Sequence, residues 1–284
     1  NNGKWQKVVA DNPVVFGDEH GSLRLRGKCP NGTATSWEKY STITFSDENV
    51  KVDCSGDIRM LIDYTAHETA ATGNCRFRSL FQNCTALKSA PQLPATALKG
   101  SCYRQMFEGC TSLTQAPDLP ATELQQLCYY SMFKGCEALT QAPKLPATKL
   151  AHSCYHNMFE GCTSLDKAPD LPATTLNYNC YIKMFSGCTS LKKAPELGAE
   201  KLMSFCYQLM FENCTNLESV TMLATSGNPN GLAGWLDGAG TSAGSRTLKV
   251  SSKAFYNSTI ANKNPNEWKI GACKVLDING NDIE

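Results

Sequence analysis

The sequence has almost no net charge, because 27 lysine and arginine residues are balanced by 26 aspartate and glutamate residues, leaving a formal charge of +1. Without a basic excess the chain has little with which to displace counterions from phosphates, so we expect no nucleic-acid partner. It also lacks any run of roughly eighteen apolar residues, so no transmembrane helix is predicted. Its 42% of hydrophobic residues is nevertheless enough for a packed core.

Residues for acid–base chemistry are scarce as well, since the chain has 4 histidines in 284 residues. No zinc-protease, nucleophile-elbow or phosphate-loop motif occurs in it. A catalytic cysteine needs a lowered pKa and a histidine partner, and only Cys154 has histidines close in sequence, at His152 and His156. We therefore predict that the protein is not an enzyme and uses no cofactor.

An initiator methionine, a signal peptide and a lipobox are all missing from the sequence, which begins at Asn1. We interpret this as a mature or trimmed chain, so the absence of a targeting segment says nothing about export. A lipid anchor outside this sequence stays open.

What the sequence has in excess is cysteine, with 15 residues, far more than a reducing cytosol usually tolerates. Eleven of them recur in two columns with a step of 26 residues, and Cys75 lies one residue out of register. The first column is Cys84, Cys110, Cys136, Cys162, Cys188 and Cys214, and the second is Cys102, Cys128, Cys154, Cys180 and Cys206.

The cysteine columns mark a repeat, of which CYRQMFEGCTSLTQAPDLPATELQQL is one copy. A unit of this length is too small to bury its own apolar face, so neighbouring units must stack into a solenoid with one continuous core. The four-residue spacing of Cys102, Met106 and Cys110 predicts a short helix in each coil. The leucines that follow predict a short strand, which Pro117 ends because proline lacks an N–H donor.

The repeated pattern MFxGCTSLxxAPxLPATxL resembles the BspA-like class of leucine-rich repeats, found in surface proteins of gut and oral bacteria of the Bacteroides type. The resemblance covers residues 75–223 in six copies. It implies an α/β repeat solenoid, wound as a right-handed leucine-rich-repeat superhelix of about six 26-residue coils. It also implies a β-rich N-terminal domain, a C-terminal cap and an adhesin-like role at the cell surface or in secreted form.

The flanks of the repeat have a different character. Apolar and polar residues alternate near Leu23 and Ile43, which predicts half-buried strands, and GDEHG at 17–21 predicts a turn. We predict three regions: a small β-rich N-terminal domain at 1–72, the leucine-rich repeats at 73–223 and a C-terminal cap at 224–284.

The C-terminal cap is predicted from the need to cover the open end of a solenoid core. Trp235 and Leu236 are the apolar residues best placed to plug that end. Short closing strands are predicted at 247–250 and at 267–270.

Three interpretations of the cysteines compete. A disulfide within one coil is disfavoured if the segment is helical, because eight helical residues span about 12 Å and a disulfide needs Cα atoms closer than about 7 Å. Bridges between coils would break the uniform spacing, and a column of five cannot pair completely. We favour a ladder of buried free thiols that donate to the backbone of a neighbouring coil. A bridge between Cys29 and Cys54 stays open.

A metal site is the sharper alternative for one coil. His152, Cys154 and His156 are all good zinc ligands. The aligned positions in the preceding coil carry the non-ligands Gln126 and Tyr130, so the histidines stand at variable positions. We therefore predict no metal site.

The positions that vary between repeats predict where a partner binds. They flank the expected strand, carry charges of both signs and include no aromatic residue, which favours a protein partner over a stacked sugar. The alternative is a merely solvated face. We define the strip as Lys88, Thr114, Gln115, Thr140, Gln141, Asp166, Lys167, Lys192 and Lys193.

Two functions follow from these patterns. The first is a non-enzymatic, adhesin-like module whose strip binds a host matrix protein or a bacterial surface protein. The second is a glycan-capture accessory protein, which would use Trp37 and Tyr40 in the N-terminal domain, the aromatic residues that the strip lacks.

Overall fold

The computed structural model describes residues 5–9, 11, 14, 22–47 and 49–283. The predicted turn at 17–21 and its His20 lie outside these residues. Within the described ranges, no helix has the length and apolar composition needed to span a membrane.

The regular elements are short, and all strand pairs are parallel. The strands are β1 (Val52–Asp53), β2 (Leu87–Ser89), β3 (Lys193–Leu197), β4 (Lys201–Leu202), β5 (Ser219–Met222), β6 (Ser226–Gly227), β7 (Thr247–Val250) and β8 (Lys274–Leu276). They form three sheets with the strand orders β1-β2, β3-β5-β7-β8 and β4-β6. The helical pieces are α1 (Lys253–Phe255), a π-helical turn (Tyr256–Ile260) and four 3-10 helices (Ile58–Leu61, His67–Thr69, Pro229–Leu232, Asn266–Trp268).

The parallel pairing repeats from coil to coil along two lines. The first line begins with the pair β1-β2 and reaches the pair β3-β5. Between β2 and β3 it continues as isolated bridges at the same repeat position, such as Gln141 with Lys167. A second line joins Lys149 to Thr175 and continues as the pair β4-β6. The prolines of the repeat keep these ladders short, because each removes an N–H donor. These parallel ladders and the buried columns described below have the 26-residue step predicted for a repeat solenoid.

The helix predicted at 102–110 is wrong, because this segment is a series of tight turns. Alternate N–H groups bond within the coil, as from Met106 to the Tyr103 carbonyl at 3.2 Å. The N–H groups between them bond to the next coil, as from Phe107 to the Met132 carbonyl at 3.0 Å. Every fourth residue has a positive φ, such as Gln105 (56°) and Gly109 (73°). A four-residue turn period places Cys and Met on one face as a helix would.

Aromatic rings and thiols of successive coils stack in the core. One column of parallel rings has centroids 5.6–5.7 Å apart and a second has them 5.6–6.1 Å apart. Each coil thus supplies one ring to each column and closes the core of its neighbour. The first column is Phe81, Phe107, Phe133, Phe159, Phe185 and Phe211. The second column is Phe77, Tyr103, Tyr129, Tyr155, Tyr181 and Tyr207.

The coil-to-coil bonding continues past residue 223, where the sequence repeat ends. Phe211 N–H bonds to the carbonyl of Trp235 at 2.9 Å, and Gly234 and Gly238 have the positive φ of the earlier turns. Trp235 and Leu236 are fully buried, as predicted for residues that plug the core.

The cap contains one of its two predicted strands. The strand at 247–250 is confirmed as β7, which pairs with β5 and β8. The strand predicted at 267–270 is wrong: Asn266–Trp268 is a 3-10 helix, and β8 forms further along the chain. The helix buries Trp268, whose indole Nε1 donates to the Ala239 carbonyl at 2.9 Å.

The N-terminal region has less strand than its alternating pattern predicts. Among its described residues, β1 is the one named strand, and two isolated antiparallel bridges join Lys28 to Asp63 and Ala34 to Tyr40. The segment at Ile43 forms no strand, and the Ile43 N–H bonds to the Leu80 carbonyl of the first coil. It therefore lies against the coil instead of pairing within a separate sheet.

Candidate functional site

All nine residues of the strip are exposed. They follow the first line of parallel pairing, where Gln141 is bridged to Lys167, and Lys193 of β3 pairs with Ser219 of β5. Backbone bonds hold the neighbouring column too, as from Asp166 N–H to the Thr140 carbonyl at 3.2 Å. Paired strands are about 4.8 Å apart, so the strip presents side chains at a regular step on a hydrogen-bonded backbone.

The charges of the strip are available to a partner. The ion pairs found among the described residues join Arg59 to Asp57, Lys134 to Glu160 and Lys183 to Glu212, so none involves a strip side chain. The arrangement can therefore offer cationic and anionic contacts side by side, without first breaking an ion pair to another described residue.

The cysteine columns lie in the core, away from the strip. In the first column each thiol from Cys110 to Cys214 donates to a phenylalanine carbonyl 29 residues earlier, at 3.0–3.1 Å. Burial raises the pKa of Cys162 to about 12, although a backbone hydrogen bond opposes the shift. All fifteen cysteines are unpaired thiols. A buried thiol with a raised pKa is a poor nucleophile, so the side chains of the two columns act as packing groups.

The structure separates the residues of the H-x-C-x-H segment. Cys154 is buried in the core, whereas His152 is exposed. Burial lowers the pKa of His156 to about 4, and the nearby charge of Arg104 contributes. In the part of the chain that the structure describes, no group of three or more metal-ligating side chains is arranged to hold an ion.

Sequence reasoning missed one constellation on the outer face of the turns. Arginine guanidinium groups alternate there with aromatic rings, in a series that we define as the arginine–aromatic stack: Tyr40, Arg78, Trp37, Arg104 and Tyr130. The Arg78 Cζ atom lies 4.8 Å from the ring centroid of Tyr40 and 5.4 Å from that of Trp37. The Arg104 Cζ atom lies 4.6 Å from the Trp37 centroid and 3.9 Å from the Tyr130 centroid.

The stack joins the N-terminal region to the first coils. Trp37 lies within a short loop, and Tyr40 is one end of it, where the Ala34–Tyr40 bridge closes the loop. Arg78 and Arg104 occupy one repeat position in adjacent coils, and the next coil has Tyr130 there. In the sequence, the change from arginine to tyrosine at that repeat position was the one sign that these side chains form a cluster. It does not reveal their contact with Trp37.

Comparison of the chain with known proteins finds no match to a family model, a curated protein sequence or a solved structure.

Proposed function

We propose that the protein is a non-enzymatic interaction module whose strip binds another protein. One observation carries the proposal: nine exposed side chains, four of them lysines and one an aspartate, stand at regular steps on a bonded backbone, and no ion pair among the described residues occupies their charged groups. Solenoids characteristically bind partners along such repetitive surfaces. A host matrix protein or a bacterial surface protein is the partner class that we propose.

We further propose that the coils form a right-handed leucine-rich-repeat superhelix of the BspA-like class. The repeated pattern MFxGCTSLxxAPxLPATxL and the parallel ladders with a 26-residue step support this assignment. A cell-surface or secreted location, with a lipid anchor outside this sequence, belongs to the same proposal.

The test is a charge reversal on the strip with a matched control. Lys167, Lys192 and Lys193 are changed together to glutamate, and binding to a panel of matrix and bacterial surface proteins is measured by surface plasmon resonance. We expect affinity for the bound protein to fall about tenfold or more, with a slower association rate at low salt. The control changes three exposed lysines off the strip, Lys99→Glu, Lys149→Glu and Lys201→Glu.

The control variant should keep wild-type affinity, because it has the same net charge but an unchanged strip. Equal losses in both variants would attribute the effect to net charge and contradict the strip. Unchanged affinity in both would exclude these lysines from the contact.

The exposed rings of Trp37 (48%) and Tyr40 (43%) favour glycan capture as a second candidate function. Flat rings with apolar faces stack on the C–H faces of sugars, and the strip has none. A glycan array that compares wild-type protein with Trp37→Ala tests this candidate, and loss of glycan binding in the variant is the expected result.

A further inference from the structure

We propose that Arg78 and Arg104, together with Trp37 and Tyr40, form a binding site for an acidic saccharide, in which the guanidinium groups bind a carboxylate or sulfate group of the sugar. The site is separate from the strip and independent of the strip's partner. This proposal rests on the second candidate function, glycan capture, and extends it, because it defines the class of sugar that binds and adds Arg78 and Arg104 to the site.

The coil stack forces the two guanidinium groups into proximity. Arg78 and Arg104 are one repeat apart, and Ser79 N–H bonds to the Arg104 carbonyl at 2.9 Å. Both guanidinium groups contact the ring of Trp37. Two like charges beside one indole repel each other, so an anion that contacts both guanidinium groups would remove an unfavourable interaction.

Within the described part of the chain, neither arginine forms an ion pair. The carboxylate of Glu108 acts on the charge of Arg104, but its Oε2 atom already accepts bonds from the amides of Gln82 and Gln105, each at 2.7 Å. Burial lowers the pKa of Arg104, and the charge of Arg78 adds to this effect. The pair therefore lacks the anion that guanidinium groups normally have when they are partly buried.

The hydrogen-bonding groups of the arginines are only partly used. Arg78 donates from Nη1 to the carbonyl of Trp37, while its buried Nε has no acceptor. Arg104 donates from Nε to Oε1 of Gln105 at 3.1 Å. A guanidinium has five N–H donors, so both arginines have donors left for a two-oxygen acceptor such as a carboxylate or sulfate.

The aromatic rings decide the ligand class. Trp37 and Tyr40 are about half exposed, and the arginines that stack on them fix their orientation. A sugar ring fits this arrangement because its C–H face packs on the exposed ring of Tyr40, which one arginine contacts, while its acidic substituent reaches a guanidinium. A nucleic acid also combines bases with phosphates, but the formal charge of +1 does not favour a polyanion.

The test uses the full chain and isothermal titration calorimetry with oligosaccharides of similar length. A galacturonate hexamer supplies carboxylates, a chondroitin sulfate hexamer supplies sulfates as well, and chitohexaose is the neutral probe. We expect the acidic probes to bind and the neutral probe to bind at least about tenfold more weakly. In NMR spectra, the arginine Nε–Hε signals of Arg78 and Arg104 should shift during titration of the wild-type protein, a readout that needs no variant.

Variants then test whether the arginine–aromatic stack binds a ligand or has only a structural role. Arg104→Gln should weaken binding of the acidic probes about tenfold or more, Arg104→Lys should weaken it less, and the exposed Arg24→Gln should leave it unchanged. A circular dichroism melt verifies that each variant is folded.

The outcomes distinguish failure of the site from failure of the second candidate function. Equal binding of acidic and neutral probes, lost in Trp37→Ala but not in Arg104→Gln, would overturn the anion site and leave glycan capture standing. No binding of any saccharide would overturn both. Binding of poly-glutamate as tightly as the galacturonate hexamer would overturn the assignment to saccharides.

Discussion

The thiol of Cys136 donates a hydrogen bond to the carbonyl oxygen of Phe107, 3.1 Å away in the preceding coil. The same bond recurs in the neighbouring coils, for example from Cys162 to Phe133 at 3.1 Å. Cysteine at this position is therefore both a small apolar group and a donor. In the second column, the described structure contains no such bond for Cys154, although that thiol is equally buried.

Serine substitutions should separate the two cysteine columns. In Cys162→Ser the hydroxyl finds the Phe133 carbonyl as acceptor, whereas the buried thiol of Cys154 makes no such bond to a neighbouring coil within the described structure. We expect Cys154→Ser to be more destabilised than Cys162→Ser by about 1 kcal/mol. Urea unfolding of both variants measures the difference, and equal losses would mean that the thiol bonds contribute nothing specific.

The thiol columns should make the protein sensitive to alkali. Burial raises the pKa of Cys162 and Cys214 to about 12 from an ordinary value near 9. The folded state thus retains protons that the unfolded state loses, so stability is complete below about pH 9 and falls as the pH rises toward 12. Each such thiol costs about 1.4 kcal/mol per pH unit in that window.

Urea unfolding between pH 7.5 and 10.5 measures this slope. Cys162→Ala should unfold more easily at pH 7.5, yet lose less stability per pH unit above pH 9, because one titrating group is gone. A slope identical to wild type would show that the Cys162 thiol does not titrate as described.

Removal of one hydroxyl should stabilise the protein. The Tyr155 hydroxyl is buried with no hydrogen-bond partner among the described residues, and the equivalent position of the first coil has Phe77. We expect Tyr155→Phe to raise the free energy of unfolding by about 1 kcal/mol. Tyr256→Phe is the matched control: the Tyr256 hydroxyl accepts a bond from Ile270 N–H at 3.0 Å, so this variant should lose stability.

The left-handed glycines of the turns should tolerate asparagine better than alanine. Gly161 has φ of 73°, and an added Cβ would meet the Gly135 Cα at an ordinary 3.8 Å, so any cost arises from the backbone conformation. We expect Gly161→Ala to lose about 1–2 kcal/mol and Gly161→Asn clearly less. Asn83 and Asn213 already have positive φ at this repeat position. Thermal melts of the two variants decide; equal losses would indicate a steric cause.

The sequence predicts the step of the stack but not the local shape of each coil. The 26-residue register places the cysteine columns and the exposed strip without structural information. The helix prediction failed because apolar residues four apart, such as Cys102 and Met106, suit both a helix and a series of turns. Glycine or asparagine at the positions of Gly109 and Asn83 was the sign that the backbone turns left-handed there.

The arginine–aromatic stack was beyond sequence reasoning for a different reason. Trp37 and Arg78 are separated by 41 residues, and their contact depends on how the N-terminal segment lies across the first coils. No local period encodes such a contact. The strand prediction near Ile43 failed similarly, since a segment that rests on a coil has the same alternation as a paired strand, and the described residues near Leu23 form no strand either.

The division of backbone bonds in the turns has a mechanical consequence. Alternate N–H groups such as that of Phe107 connect one coil to the next, so a force applied to the two ends of the chain would load these bonds one coil at a time. The stack should then unzip in steps. Each step would release one 26-residue coil, or about 90 Å of extended chain. Single-molecule stretching would record this as an evenly spaced series of small rupture events.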